Sequence, residues 1–377
     1  MTGPGHQLRV LHVVATGTRR GAELFASDLA ATLPDWIDQR FTVLHPPVAH
    51  GLFERQGVHQ VDSHLAVPGL KLDLRAVGEL RSEMTRWRPH VVHAHGGEAF
   101  KSVASAGVGL SFPILYRKIG SAPPWIRNGI RLRAHRGLLK RADLIVAVAE
   151  SVRRELISVF RVREEQVVVV PRGVDPLRLR PSRTRTEVRE ELGIDADAPV
   201  VLSLGALNWE KDPLTHLRIT LPEIKAGRLV HLFAGDGPLR DELTSAVTRA
   251  GVSDRVRILG PRADVGDLLG ASDVMLLASR TEGMPGCLIE AGMAGLPSVA
   301  FDVAGVTEVV SHGRSGFVVP VGDLEGMRHA LLSLASDPAR RASMGDEARQ
   351  LCERFDIAHV ARRYEDVYLQ IGGRKAA

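Results

Sequence analysis

The sequence predicts an α/β fold of two doubly wound parallel-sheet domains, and three observations carry that prediction. Short β-branched runs alternate with longer helical patterns almost from end to end, which is the pattern of βαβ units. Twelve parallel strands would strain a single open sheet. The segment from Pro176 to Thr186, with two prolines and several arginines, interrupts the alternation midway. The organisation expected is an N-terminal domain over residues 1–178, a C-terminal domain over 179–354 and a helical tail over 355–377.

In the first half, apolar runs predict strands at Leu8–Ala15, Phe41–His45, Val91–His95, Pro113–Arg117, Leu144–Ala149 and Val167–Pro171, with helices between them such as Ala22–Leu33 and Ser151–Phe160. In the second half the strands expected are Val200–Leu204, Leu229–Ala234, Arg255–Leu259, Val274–Ala278, Ser298–Phe301 and Phe317–Pro320. After Asp337 only helix is expected. The last helix carries Tyr364, Val367, Tyr368 and Ile371 at helical spacing, a face that needs a partner, and the N-terminal domain is the partner expected.

Composition narrows the class. Hydrophobic residues make up 44% and charged residues 25% of 377, an ordinary globular mixture. Two cysteines, Cys287 and Cys352, leave no disulfide framework and no zinc spacing. With no basic n-region before a long apolar core, and no run approaching the roughly 20 apolar residues of a membrane span, a cytoplasmic protein is expected. A net charge of +5 with 5% aromatic residues offers neither a dense basic stripe nor a stacking platform, so a nucleic-acid partner is not expected.

Ligands of doubly wound sheets sit at the carboxyl ends of the strands, so function should lie in the strand-to-helix loops. The most informative loop is Ser279 to Phe301, SRTEGMPGCLIEAGMAGLPSVAF. Gly283 and Gly286 allow close backbone approach, Pro285 suits the first turn of a helix, and that helix start favours an anion. Glu282 lies before the helix and Glu290 within its second turn. Further blocks follow in order: RGAELFASDLA from Arg20, VVVVPRGVD from Val167, FAGDGPLRDEL from Phe233, DVAG from Asp302, and GRSGF from Gly313.

These blocks closely resemble retaining glycosyltransferases of family four over nearly the whole chain. The resemblance implies the GT-B fold, two Rossmann-like domains facing a central cleft, with the acceptor side in the N-terminal domain and a nucleotide-diphosphate sugar held by the C-terminal one. It implies that Glu290 binds the ribose hydroxyls, that Glu282 holds hydroxyls of the transferred sugar, and that backbone around Gly283, Met284, Pro285 and Gly286 steadies sugar and phosphate. Lys211 matches the diphosphate-binding lysine, whose charge offsets that of the leaving nucleotide. The glycine turn at Gly21 would approach the diphosphate from the other domain, and Arg262 falls where the base pocket forms. No cofactor is implied, since the nucleotide sugar is a substrate, and no metal.

The chain also departs from the family. Ala206 stands where many members carry an arginine five residues before the lysine, which leaves Arg20, Arg172 or Arg280 as candidate helpers. Ile119 stands where several carry a donor-contacting histidine, and Arg172 replaces an asparagine. His93 and His95 point to one face of a strand. With no third ligand near them in sequence a metal is not the expectation, and His95 is read as lining the acceptor cleft. Asp195-Ala196-Asp197 reads as a solvent loop rather than a metal-chelating D-x-D. The basic stretch from Pro124 to Ala142 contains Trp125, Arg127, Ile130, Arg131, Arg133, Arg136, Lys140 and Arg141 without an acid, which suggests a membrane-surface element or a solvated basic face.

The expected function is transfer of a sugar from a UDP- or GDP-type donor to a carbohydrate or glycolipid hydroxyl, in bacterial polysaccharide or glycolipid synthesis. Sugar-nucleotide epimerases of the same fold are the alternative. A nicotinamide oxidoreductase is disfavoured because Gly235-Asp236-Gly237 continues into Pro238-Leu239-Arg240, without the third glycine of a dinucleotide fingerprint.

Overall fold

The structure is a computed structural model. It describes every residue except 1–6, 19, 46–47, 50–51, 54–56, 61–65, 68–71, 123–125 and 374–377, so Pro124 and Trp125 of the basic stretch lie outside the described residues. The chain forms two compact units, Met1–Gly173 with Ile357–Ala377, and Val174–Asp356.

In the first unit the strands are β1 (Leu8–Thr16), β2 (Ile37–His45), β3 (Gly57–Gln60), β4 (Ala66–Val67), β5 (Leu72–Asp73), β6 (Val91–His95), β7 (Ile114–Lys118), β8 (Leu144–Ala147) and β9 (Val167–Val169). Seven of them form one parallel sheet in the order β3-β2-β1-β6-β7-β8-β9, while β4 and β5 pair as a short antiparallel ribbon. All five residues of β6 and of β7 are buried, as expected of central strands covered on both faces. β3 and the ribbon are not among the strands expected from sequence, being short and lacking a dense apolar run. The C-terminal helix Ile357–Gly373 buries Val360, Tyr364, Val367, Tyr368 and Ile371 in a core with Val10, Phe25, Leu29 and Leu115 of this unit.

The second unit contains β10 (Val200–Leu204), β11 (Val230–Ala234), β12 (Val256–Gly260), β13 (Val274–Leu277), β14 (Ser298–Phe301) and β15 (Gly316–Val319), ordered β12-β11-β10-β13-β14-β15 and all parallel. The strand order reverses between β10 and β13, and a crevice opens at such a switch point because the two following loops diverge. Its core joins Val201, Leu217, Phe233, Leu276 and Val299 from sheet and helix. Val174 N–H donates to the Phe355 carbonyl at 2.9 Å, so the chain enters and leaves this unit side by side. Asp195 and Asp197 are exposed in the loop before β10.

Gly235 and Gly237 have a structural use that accounts for the incomplete fingerprint. A Cβ on Gly235 would stand 1.8 Å from the Gly205 carbonyl oxygen, and one on Gly237 2.4 Å from that of Leu207. The loops after β10 and β11 pack backbone to backbone, with Gly205 N–H on the Ala234 carbonyl at 3.0 Å and Leu207 N–H on that of Asp236 at 2.9 Å.

Candidate active site

Two loops flank the switch point of the second unit. After β10, the loop Gly205–Asp212 leads into the helix Pro213–Lys225; after β13, the segment from Ala278 leads into the helix Gly286–Met293. The loops meet at an ion pair in which Lys211 Nζ donates to Glu282 Oε1 at 2.6 Å. The Lys211 backbone is held by the Asn208 Oδ1 atom, which accepts its N–H at 3.0 Å. A second tie lies alongside, where Arg280 Nη2 reaches Asp212 Oδ2 at 2.7 Å and the Arg280 guanidinium stacks 5.4 Å from the Trp209 ring centre. Of the three candidate helper arginines, Arg280 is therefore the one placed on the Lys211 and Glu282 loops. A shallow, solvent-open pocket lies beside Lys211, lined by Ser203, Gly205, Ala206, His216 and Phe233.

Pro285 is the cap of the helix Gly286–Met293 rather than its first residue, with φ −73° and ψ 106°. Gly283, Met284, Pro285 and Gly286 are buried, and Glu290 is half-buried on the second turn of the helix. Gly305 packs on this loop: a Cβ there would stand 2.0 Å from the Gly283 carbonyl oxygen, which explains a glycine in the DVAG block.

His216 was not singled out from sequence, yet it joins both loops. Its Nε2 accepts the Ala278 N–H at 2.9 Å, so its proton sits on Nδ1, which donates to the Asp212 carbonyl at 3.0 Å. Burial holds the imidazole down at about 4. The four-residue step from Asp212 to His216 is visible in sequence, but the bond to Ala278 spans 62 residues.

Arg262 follows β12 and is committed to acids: its Nε is 2.7 Å from Asp264 Oδ1 and its Nη2 3.3 Å from Glu191 Oε1. In the first unit Gly21 opens the helix Gly21–Thr32 after β1, capped by Arg20. A Cβ on Gly21 would stand 2.8 Å from an Arg172 guanidinium nitrogen, so the residue replacing the family's asparagine lies against this turn. Ile119 is exposed and borders Gly96.

His95 is placed in the interior, not on an open wall, with only 2% of its surface exposed. It belongs to a buried cluster with His12 and His93, the first of which supplies the third imidazole that linear spacing concealed. His12 and His93 are register partners across β1 and β6. Gln39 Nε2 donates to the Ala30 carbonyl at 3.1 Å, which turns its Oε1 to His12 Nε2 at 3.2 Å. His12 Nδ1 then accepts from His95 Nε2 at 3.1 Å, while His93 Nδ1 meets the Tyr368 hydroxyl at 2.7 Å. Burial pushes His12 down to about 3; it also holds His93 and His95 well below the usual imidazole value, and for these two the neighbouring imidazoles and buried Arg117 add to the effect. Burial favours the neutral form of all three rings, and the His93–Tyr368 bond ties the cluster to the C-terminal helix.

The helix Gly129–Leu139 buries only Leu139; Ile130 is 82% exposed and Arg131, Arg133, Lys140 and Arg141 face solvent. Among the described residues no helix is long and apolar enough to cross a membrane. Cys287 and Cys352 are both buried and neither is in a disulfide.

Two parallel doubly wound sheets, with a lysine–glutamate pair at the switch point of one, define the class: a two-domain α/β protein of GT-B type. Family models agree over most of the chain, "Glycosyltransferase Family 4" matching residues 19–178 and "Glycosyl transferases group 1" matching 198–337. The chain belongs to glycosyltransferase family four. It is 31% identical to a D-inositol 3-phosphate glycosyltransferase of Kineococcus radiotolerans over 66% of this chain and 61% of the relative. It is 27% identical to the N-acetyl-alpha-D-glucosaminyl L-malate synthase of Bacillus anthracis over 62% and 61%. The match thus spans about three fifths of the length of these relatives. In fold it is similar to Anabaena Alr3699/HepE, solved in complex with UDP and glucose, with a TM-score of 0.84, 23% identity, and coverage of 96% of this chain and 99% of that one.

Proposed function

We propose that this chain transfers a sugar, with retention of configuration, from a nucleoside-diphosphate sugar to an acceptor hydroxyl. The observation that carries the reading is the 2.6 Å Lys211–Glu282 pair at the switch point of the second sheet. An arriving diphosphate competes with Glu282 for the Lys211 ammonium; Glu282, released, accepts hydroxyls of the transferred sugar. As the bond from sugar to phosphate breaks, negative charge grows on the leaving diphosphate, and a pre-placed cation there lowers the barrier without reorganisation. Glu290 takes the ribose hydroxyls, and the Gly283–Gly286 backbone supports sugar and phosphate. Arg262 serves the base pocket, its side chain fixed by Asp264. His95 acts from the interior, supporting the strand end behind Gly96 rather than touching substrate.

The donor is of UDP or GDP type; a solved protein of similar fold holds UDP and glucose. Acceptors printed in relatives' names include inositol 3-phosphate and a diphosphoundecaprenol-linked sugar, both bearing phosphate, which fits a carbohydrate or glycolipid hydroxyl acceptor in envelope synthesis. The exposed, acid-free helix Gly129–Leu139 supports a peripheral position on the inner face of a membrane. An epimerase is not favoured, because the family models and these relatives are transferases.

The test is calorimetric titration with UDP and GDP of the wild type, Lys211→Ala and Glu290→Ala. One diphosphate should bind at micromolar to millimolar Kd, with each substitution weakening it at least about tenfold, the scale of one lost charge-assisted bond. Binding by neither diphosphate, or unchanged binding by both variants, removes the site assignment.

A further inference from the structure

The loops that carry Lys211 and Glu282 come from strands adjacent in space but distant in sequence, and their separation has to be set by something other than the ion pair itself. The pair must open when a ligand's charge arrives, so it cannot also be the strut. The Arg280–Asp212 tie is half exposed on the Arg280 side and accessible to competing water. His216 is 96% buried and bonds backbone to backbone through one ring: Nδ1–H to the carbonyl of Asp212, directly after Lys211, and Nε2 from the N–H of Ala278, where the loop to Glu282 begins. Because a backbone N–H can only donate and a carbonyl can only accept, one tautomer of a neutral imidazole satisfies both.

The loop on the Lys211 side needs such a strut. Asp212 stands in the left-handed region at φ 48° and ψ 61°, a costly conformation for a non-glycine residue, while its carboxylate caps the helix Pro213–Lys225 through Thr215. The bond from His216 to the Asp212 carbonyl helps hold this peptide in place, and with it the direction in which the Lys211 side chain leaves. Packing fixes the ring in turn, with Phe233 6.4 Å away edge-on and the His231 pair with Ser203 and Thr220 behind it.

Resting on the reading above, we propose that His216 is a positioning residue of the diphosphate site, a neutral clasp that sets the spacing of Lys211 and Glu282 and acts on the ligand only through Lys211. Glutamine, with one amide donor and one acceptor, can reproduce both bonds; leucine fills the space and can make neither.

The experiment measures UDP, GDP, UMP and GMP binding by calorimetry for the wild type, His216→Gln, His216→Leu, Lys211→Ala and the His216→Leu/Lys211→Ala double variant, each checked for an intact melting transition. Expected are a loss of about tenfold or more in diphosphate affinity for His216→Leu, much less for the monophosphate of the same base, and recovery to within about threefold in His216→Gln. In the double variant the histidine change should add nothing to the Lys211→Ala loss, the signature of two residues acting as one. Equal losses for diphosphate and monophosphate, or losses that add in the double variant, overturn the proposal as mere loosening of the unit. Should His216→Leu not fold, His216→Gln decides: an affinity reduced like that of Lys211→Ala overturns it, and near wild-type affinity with an unchanged diphosphate preference upholds it. If the wild type binds no nucleoside diphosphate, the proposed function itself falls, a result separate from wild-type binding that His216 does not influence.

Discussion

Burial holds the imidazoles of His12, His93, His95, His216 and His231 below their ordinary value and favours them as neutral hydrogen-bonding units, and the consequence is measurable at the scale of single residues. His12 is held at about 3 and His216 at about 4, against an ordinary 6.5, because a charged imidazole would be stripped of water. The native state therefore refuses protons that the unfolded chain accepts, between about pH 6.5 and 4 at His216 and down to about 3 at His12. Stability is fully present above that window and falls as pH drops through it. Each such histidine should cost on the order of 2 kcal/mol between pH 7 and 5. Urea titrations at the two pH values should show a fall of that size or more, and His216→Gln should shrink it; equal stability at both values would mean that the buried rings are charged or hydrated.

At the scale of elements, the helix Gly129–Leu139 stands out because folding buries only Leu139 of it. Its neighbours are satisfied at one end, where Arg136 donates to the Val159 carbonyl at 2.7 Å and His135 packs 4.9 Å from Phe160. The remaining face combines exposed Ile130 with Arg131, Arg133, Lys140 and Arg141 and no acid. Basic side chains near an anionic lipid surface contribute about 1 kcal/mol each, screened by salt. Co-sedimentation with vesicles containing phosphatidylglycerol should retain the protein at low ionic strength, and Arg131→Glu/Arg133→Glu should release it. Equal binding to neutral phosphatidylcholine vesicles, or no effect of the charge reversal, would return this helix to a solvated basic face.

For the whole molecule, the C-terminal helix belongs to the unit that contains the N-terminus. Seven of its residues, Ile357, Val360, Ala361, Tyr364, Val367, Tyr368 and Ile371, are buried there. Burial of a large apolar side chain contributes roughly 1.5–3 kcal/mol, so losing this helix removes an amount comparable with the whole stability of a domain. A chain ending at Asp356 should therefore lose the melting of the first unit in scanning calorimetry, while the second, closed on itself where Val174 meets Phe355, still melts cooperatively. Two intact transitions in the truncated chain would show the helix to be dispensable.

Local information was enough for the α/β class, for twelve of the strands to within a few residues, and for the Ser279–Phe301 loop with Glu282 and Glu290, because apolar periodicity and glycine spacing act over a few residues at a time. The short β3 and the β4–β5 ribbon escaped, since their pairing rather than their composition makes them strands. Lys211 and Glu282 were each legible, but not that they pair. The Lys211–Glu282 pair spans 71 residues, the His216–Ala278 bond 62, and the imidazole cluster joins His12 to His95 across 83. The order of strands decides which of these meet: β10 beside β13 brings Lys211 to Glu282, and β1 beside β6 turns His95 from an expected cleft residue into a buried one. The sequence by itself determined the fold class and which loops are the candidates for chemistry; the tertiary structure alone decided which side chains share a charge or a proton, because hydrogen bonds and ion pairs act over about 3 Å of space whatever the distance along the chain.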